Sequence, residues 1–313
     1  MAKVIFFGNY KGGVGKTTSV FSVAYFMATD HGKKVLMIDL DPQSSLSEIC
    51  LRNVNQEIQE SDKSILLKSL PPNETLNYVF DLSIRGVNTP SLPLLFDGSK
   101  LIKQCKYNNM SFVPSSLFYE KRLGMDELAM RMKCCIEHFS ILPQLLKGFE
   151  CHKFDYVLVD CPPTSNVITQ SAFMAADYYV VPTIEDGLSI NGVLHYVQTV
   201  GETYDRYCSE AFDEYLLYRH FFGSKPKMLG IFYTLCRAQI NYSTINAYFS
   251  DALKDTNMPE ENIYLFSSYT DNYVDIARAI AAGAVSMKPN TAGEVGYQEI
   301  TKELMERMKY LGG

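Results

Sequence analysis

The sequence lacks any apolar run of the roughly 20 residues that a helix needs to span a bilayer. Its apolar start, Val4 to Phe7, is also too short for the core of a secretory signal peptide. Both absences argue against an integral membrane protein and against a secreted one. We therefore expect a cytoplasmic protein.

Paired metal-binding cysteines are also missing. The eight cysteines include no Cys-x-x-Cys pair, and none stands with a histidine at the spacing of a zinc site. Scattered single cysteines are typical of buried free thiols in a reducing compartment. The same absence argues against an iron–sulphur carrier, which needs bridging cysteines.

The sequence has fewer basic than acidic residues, with 29 Lys and Arg and 35 Asp and Glu, which give a net charge of -6. This balance argues against a protein that coats nucleic acid, although it leaves room for a local basic patch. Residues 201–313 are net negative, and their only loose basic cluster is Arg219, Lys225, Lys227 and Arg237. We interpret this cluster, and the lysines at 100, 103 and 106, as solvated surface.

Strand and helix patterns alternate along the whole chain, which has an ordinary globular composition. The predicted strands are Lys3–Phe7, Val35–Asp39, Met110–Pro114, Asp155–Asp160, Tyr178–Val181, Met228–Leu235 and Ile263–Phe266. The predicted helices cover 16–30, 126–149 with an interruption or bend near Pro143, a segment ending near 176, one beginning near 188, and 243–254, 271–282 and 295–310. This alternation predicts one doubly wound α/β domain over residues 1–313, with a mostly parallel sheet flanked by helices. The region about 50–110 is predicted as short helices and loops.

A glycine-rich loop follows the first predicted strand and precedes the first helix. It consists of Lys11, Gly12, Gly13, Val14, Gly15, Lys16, Thr17 and Thr18. Its glycines allow the backbone to turn tightly and aim successive N–H groups at phosphate oxygens, and the helix N-terminus adds its dipole. Lys16 is placed to reach the β- and γ-phosphates, and the Thr17 hydroxyl is a hard oxygen ligand for Mg²⁺. The context predicts a P-loop.

The loop departs from the usual P-loop, because Tyr10 stands where a glycine is normal and Lys11 is an additional lysine. This combination resembles the deviant Walker A motif of the ParA/MinD family of P-loop ATPases. The resemblance implies ATP and Mg²⁺ as cofactors and ATP hydrolysis as the activity. It also implies that Lys11 reaches across an ATP-sandwich homodimer to the partner's nucleotide, as a catalytic residue beside Lys16.

Two carboxylate motifs extend the resemblance. The segment from Met37 to Gln43, which includes Asp39, Asp41 and Pro42, is similar to the family's switch I. Asp41 falls on the acidic residue that positions the attacking water, and we also assign it to the metal site. Tyr156 to Pro163 resembles Walker B with switch II, where Asp160 ends an apolar strand and is placed to hold magnesium-bound water. The predicted metal site is therefore Thr17, Asp41 and Asp160.

The resemblance implies a positioning ATPase. Such proteins dimerise with ATP, bind DNA nonspecifically and release it when a partner protein stimulates hydrolysis, so that plasmids, chromosomes or protein cargo are partitioned or positioned. DNA binding would depend on lysines and arginines. The segment Arg237-Ala238-Gln239 departs from the family's Asp-x-Arg, and we assign no adenine contact.

Two alternative functions share the same motifs. A MinD-like ATPase uses a membrane as its platform, but the last predicted helix has its apolar residues Ile300, Leu304, Met308 and Leu311 on one side with a mixed-charge remainder. We interpret that side as packing against the domain. The other alternative is an ATP-dependent synthase acting on small carboxylates, for which the poorly matched region about 50–110 would build a substrate pocket.

Overall fold

A computed structural model of the protein describes most of the chain. The described residues are 2–55, 63–86, 98–121, 123–148, 151–185, 187–210, 215–236, 243, 247, 249–251, 264–271, 274–285 and 292–312. The predicted helix at 243–254 lies mostly outside these residues, as does Arg237. All structural statements below concern the described part of the chain.

The described residues contain a seven-stranded sheet. Its strands are β1 (Lys3–Phe7), β2 (Val35–Asp39), β3 (Lys103–Gln104), β4 (Met110–Val113), β5 (Tyr156–Asp160), β6 (Tyr178–Ile184) and β7 (Lys227–Thr234). The strand order is β3-β4-β2-β5-β1-β6-β7, and only β3 runs antiparallel to its neighbour. The predicted doubly wound, mostly parallel sheet is therefore confirmed. β3 was not predicted, because two residues carry no periodic signal.

Helices cover both faces of this sheet. They are α1 (Lys16–Thr29), α2 (Ser45–Val54), α3 (Lys63–Lys68), α4 (Leu76–Ile84), α5 (Gly98–Leu101), α6 (Met125–Arg131), α7 (Ile136–Phe139), α8 (Ile141–Gly148), α9 (Val167–Ala175), α10 (Gly187–Cys208), α11 (Tyr215–Phe222), α12 (Val274–Ala281) and α13 (Ala292–Gly312). Val4 and Phe6 face the core beneath α4 and α6–α11, whereas Ile5 and Phe7 face the core beneath α1–α3, α12 and α13. Because both faces are buried, the strands read as continuous apolar runs.

The stretch predicted as helical over 126–149, interrupted or bent near Pro143, consists of three helices, and an interruption lies at Ser140, three residues before Pro143. Extended backbone at Met132 and Cys135 separates α6 from α7, and α7 has its C-cap at Ser140, one residue before α8 begins. Pro143 is the third residue of α8. In the first turn of a helix its missing N–H has no partner to lose, so the proline is accommodated without a bend.

The last predicted strand is also smaller than expected. Within the described part of 263–266, Leu265 forms only an isolated parallel bridge to Ile231 of β7. The backbone of Tyr264 and Phe266 bonds to Ile231 on either side of that bridge. A following bridge joins Asp271 to Cys236. This segment therefore runs beside β7 as an irregular edge rather than as a regular strand.

The apolar side of α13 packs into the domain. Ile300, Leu304 and Met308 are buried in the core that this helix shares with α1 and β7. Tyr297 is buried as well, and its hydroxyl lies 3.3 Å from the hydroxyl of Ser19 on α1. Of the helices described, none combines the length and the apolar character that crossing a membrane requires.

The C-terminal end of α2 is hydrogen-bonded to the turn that follows α12. Asn53 is fully buried, its amide donates to the Gly283 carbonyl at 2.7 Å, and its side-chain oxygen accepts the Lys106 N–H at 2.8 Å. Arg52 donates to the Ala281 carbonyl at 3.0 Å. Part of the region predicted as loops and short helices is therefore bonded directly to the C-terminal helices.

We expect Gly283→Ala to destabilise the protein by about 3 kcal/mol, because two effects add. Gly283 has a left-handed φ of 72°, and a Cβ there would lie 2.3 Å from the backbone nitrogen of Asn53. Gly32→Ala is the matched control, because Gly32 has a φ of 61° but no atom within 4 Å of its would-be Cβ. Denaturant unfolding should give a loss of only about 1 kcal/mol for the control. Equal losses in the two variants would contradict the close packing at Gly283.

Candidate nucleotide-binding site

The glycine-rich loop lies between the carboxyl end of β1 and the first residue of α1. Gly13 and Gly15 adopt left-handed backbones with φ of 73° and 71°, which glycine adopts without strain. Gly15 is the N-cap of α1, and no side chain accepts a hydrogen bond from the N–H groups of the first turn. Those groups, with the helix dipole, make this end of α1 suited to an anion.

The Lys16 side chain lies inside the loop. It is only 7% exposed, and its Nζ donates to the carbonyl oxygens of Asn9 and Lys11, both at 3.1 Å. Burial lowers the pKa of Lys16, and the carboxylates of Asp160 and Asp41 oppose that shift. The loop therefore holds a buried cation that is close enough to both carboxylates to interact with them.

Thr17 and Asp160 meet although 143 positions separate them in the chain. The Thr17 hydroxyl donates to Oδ2 of Asp160 at 2.7 Å. Asp160 is fully buried, and its other oxygen, Oδ1, has no hydrogen-bond partner among the described residues. Burial, followed by repulsion from Asp39, raises the pKa of Asp160 well above its ordinary value. An unsatisfied buried carboxylate oxygen beside a hydroxyl fits a hard cation such as Mg²⁺.

Asp39 and Asp41 have different environments at the end of β2. Asp39 is buried, and its carboxylate accepts the N–H and the hydroxyl of Ser47 in α2, both at 2.7 Å, and the N–H of Asp41 at 3.1 Å. Burial raises the pKa of Asp39 to about 6. Asp41 is half-buried and accepts the N–H of Gln43 at 2.8 Å. Asp39 therefore fixes the start of α2, whereas Asp41 is accessible at the edge of the site.

Lys11 is held within its own chain in this structure. Its Nζ donates to the hydroxyl of Ser189 at 2.9 Å, near the start of α10, and its N–H donates to the side chain of Asn9 at 3.0 Å. Among the other loop residues, Gly12 and Gly13 are exposed and Thr18 is half-buried, while Val14 is buried.

Sequence reasoning missed the residues that support the loop from behind. Asn9 is 1% exposed and its amide donates to the Pro182 carbonyl of β6 at 2.9 Å. Thr234, the last residue of β7, donates to the Val14 carbonyl at 2.8 Å. A Cβ on Gly8 would lie 1.7 Å from the buried hydroxyl oxygen of Tyr196. The only local signal was the position of Asn9 beside the loop, because the other contacts join segments distant in sequence.

The unusual Tyr10 packs against α10. Its ring contacts Tyr196 edge to face, with centroids 4.9 Å apart, and lies 5.5 Å from the His195 ring. Such aromatic pairs stabilise by roughly 0.5–1.5 kcal/mol beyond the area that they bury. Tyr10, which occupies the position where a glycine is usual, therefore packs the start of the loop against α10.

The structure thus brings Lys11, Lys16, Thr17, Asp41 and Asp160 to one end of the sheet. The described members of the basic cluster are bonded elsewhere in the chain. Lys225 pairs with Asp205 at 2.6 Å, Lys227 donates to the Leu311 carbonyl, and Arg219 donates to the Cys208 carbonyl. These bonds stabilise surface structure within the chain.

Comparisons with known proteins agree with this geometry. A family model described as "AAA domain" matches residues 2–211. The virulence plasmid ParA family protein pGP5-D of Chlamydia psittaci is 27% identical over 206 residues, which are 65% of this chain and 66% of that protein. The sporulation initiation inhibitor protein Soj of Bacillus subtilis is 23% identical over 303 residues, 90% of this chain and 99% of Soj. The chain spans only 54% of the length of two uncharacterised Mycobacterium tuberculosis relatives, to which it is 26% identical over 205 residues.

Solved structures show the same fold. The ATP complex of a variant of Cyanothece McdA has a TM-score of 0.65 and 18% identity, and the match covers 99% of this chain and 96% of McdA. Cobyrinic acid a,c-diamide synthase from Mycobacterium smegmatis, with an ATP analogue and magnesium, has a TM-score of 0.63 and 19% identity over 100% of this chain and 98% of the synthase. At these identities the likeness concerns the fold. The family match, the ParA and Soj relatives and the loop geometry together show that the chain belongs to the AAA domain family and, within it, to the ParA/MinD group of P-loop ATPases.

Proposed function

We propose that the protein is a ParA-like ATPase that partitions or positions DNA or protein cargo by cycling between a monomer and an ATP-bound homodimer. One observation supports this proposal above all. Lys16, Thr17 and the carboxylate oxygen of Asp160 that has no hydrogen-bond partner among the described residues lie together at the glycine-rich loop. ATP is a polyanion that needs a cation and backbone N–H donors, and this loop offers both.

Each residue of the site has a proposed part in binding or hydrolysis. The N–H groups from Gly12 to Thr18 would cradle the phosphates, and Lys16 would leave the Asn9 and Lys11 carbonyls to contact the β- and γ-phosphates. Thr17 and Asp160 would hold Mg²⁺ directly or through water, with Asp41 at the edge of the metal site. When bound, the ion neutralises charge that develops on the phosphates. Asp41 would orient the attacking water.

Lys11 is proposed to act on the nucleotide of the second protomer. Its bond to Ser189 involves a neutral hydroxyl, whereas a phosphate oxygen is a charged acceptor and forms a stronger, charge-assisted bond. Dimerisation with ATP would therefore exchange a bond within one chain for a stronger one between two chains. A partner protein that stimulates hydrolysis would then separate the protomers.

We expect sedimentation velocity to show a dimer with Mg²⁺ and a slowly hydrolysed ATP analogue, and a monomer with ADP. Lys11→Ala should remain monomeric with the analogue while binding it, because only the contact across the interface is removed. Lys34→Ala, which changes an exposed lysine distant from the loop, should dimerise as the wild type does. A monomeric wild type at saturating analogue would contradict the proposed switch.

The kind of cargo is a separate question from the switch. Nonspecific DNA binding requires cations that displace counterions from phosphates, and three of the candidate cations already have partners in the chain. DNA affinity measured with ATP, ADP and no nucleotide across a salt series separates the two classes. Affinity that appears only with ATP and falls steeply with salt identifies DNA, whereas a dimer that ignores DNA identifies protein cargo.

A synthase acting on small carboxylates is the second candidate, because the cobyrinic acid a,c-diamide synthase fold matches the whole chain. Such an enzyme would transfer phosphate to a substrate carboxylate. A screen of small carboxylates for ADP release distinguishes the two functions. The buried apolar side of α13 does not favour the third candidate, a membrane-platform ATPase, because that side already packs on α1 and β7.

A further inference from the structure

Hydrogen bonds connect the phosphate loop to the ends of two strands, β6 and β7. At its start, the Asn9 amide donates to the Pro182 carbonyl of β6 at 2.9 Å. At its middle, the Thr234 hydroxyl lies 2.8 Å from the Val14 carbonyl and 3.1 Å from the Thr183 carbonyl, also of β6. A hydroxyl has one proton, which the two carbonyls share, with the shorter contact to Val14. Thr234 is fully buried, so water does not compete for this bond.

The bond to Val14 determines which way one peptide group points. In a trans peptide the C=O of one residue and the N–H of the next point in opposite directions. Because the Val14 carbonyl is held toward β7, the Gly15 N–H is directed away from β7. Gly15 has a φ of 71°, and glycine tolerates several other backbone conformations, so the sequence of the loop does not itself fix this peptide.

We propose that Thr234 is a positioning residue for nucleotide binding, whose hydroxyl keeps the Gly15 N–H directed toward the phosphates by holding the Val14 carbonyl. This inference rests on the proposed ATP-binding function of the loop. Thr234 does not contact the nucleotide in this scheme. The bond from Thr234 restricts the loop to few conformations before the phosphates bind. Binding then costs less conformational entropy, which is the meaning of preorganisation.

The role of the Thr234 hydroxyl can be tested without changing the shape of the side chain. The three atoms nearest to a Cβ added to Gly15 all belong to the Thr234 side chain, at 3.6–3.7 Å, which is ordinary van der Waals contact. Thr234→Val replaces the hydroxyl by a methyl of similar size and keeps the branching that suits a strand. It therefore removes the bond to Val14 and leaves two buried carbonyl groups without this donor.

The test compares nucleotide affinity in Thr234→Val and Thr234→Ser by isothermal titration with ATP and with ADP. We expect Thr234→Val to bind both about tenfold more weakly, and Thr234→Ser to stay within about twofold of the wild type because it keeps the hydroxyl. Thr203→Val is the matched control. It removes a buried hydroxyl bond of 2.7 Å to the Thr199 carbonyl within α10, and we expect unchanged affinity.

The outcomes separate this inference from the proposed function. If the wild type does not bind ATP, the proposed function fails. If the wild type binds and Thr234→Val binds equally well, only the positioning role is overturned. Should Thr234→Val not fold, Thr234→Ser still decides, because a loss of tenfold or more with the hydroxyl retained would also overturn the role. An equal loss in Thr203→Val would show a general effect of buried hydroxyls instead.

Discussion

Replacing Lys16 with alanine is expected to lower ATP affinity by at least about 100-fold. Hydrogen bonds to charged groups contribute roughly 1.5–3 kcal/mol each, and Lys16 is placed to make more than one to the phosphates. The ammonium group is buried with Asp160 and Asp41 nearby, so its removal leaves two carboxylates facing an incoming polyanion. Isothermal titration with ATP and Mg²⁺ measures the loss.

Two controls make the Lys16 result interpretable. Lys34→Ala removes an exposed lysine and should bind ATP normally. Lys16→Arg keeps the charge but offers a longer, planar group that does not fit the loop in the same way, so we expect an intermediate loss. Wild-type affinity in Lys16→Ala would refute the assignment of the phosphate loop.

Replacing Asp41 with alanine is expected to reduce ATP turnover by about 100-fold while dimerisation with ATP persists. Asp41 is half-buried at the end of β2 and is accessible from the site, whereas neighbouring Asp39 is fully bonded to Ser47 and to the Asp41 N–H. The charge available to orient water is therefore that of Asp41. Single-turnover hydrolysis measures the rate, and sedimentation of the same sample measures the dimer.

The variant Asp41→Asn separates the charge from the local backbone structure. The carboxylate of Asp41 accepts the Gln43 N–H at 2.8 Å, and an asparagine retains an oxygen for that bond. We expect Asp41→Asn to hydrolyse as slowly as Asp41→Ala. Unchanged turnover in both variants would move the water-orienting role to another residue.

The glycine loop and the central strands were predictable because their signals are local. A strand of continuous apolar residues, two glycines with positive φ and a lysine at the helix start occupy one short segment. The same holds for Asp160, which follows four apolar residues at the end of β5. In a parallel sheet these ends meet at one edge, so the motifs alone were enough to bring Thr17 and Asp160 together.

The supports of the loop were not predictable, because each depends on a contact between distant segments. Thr234 ends an ordinary apolar strand, and its sequence neighbours give no reason to connect it with Val14, 220 positions away. Tyr196 looks like any aromatic residue on a helix, yet its hydroxyl occupies the space that a side chain on Gly8 would need. The break between the first two helices of 125–148 was missed because the extended backbone at Met132 and Cys135 leaves no glycine or proline signal.

The position of β1 in the sheet has a consequence for the order of folding during synthesis. β1 is made before the other six strands of the described sheet, but its two neighbours are β5, which begins at Tyr156, and β6, which ends at Ile184. The backbone N–H and C=O groups of β1 can therefore form their sheet hydrogen bonds only after well over a hundred further residues have been made. Closing such long loops is slow. The nascent chain consequently exposes the apolar strand ahead of the phosphate loop until the residues through Ile184 have been made, and a chaperone can bind the exposed strand during that time.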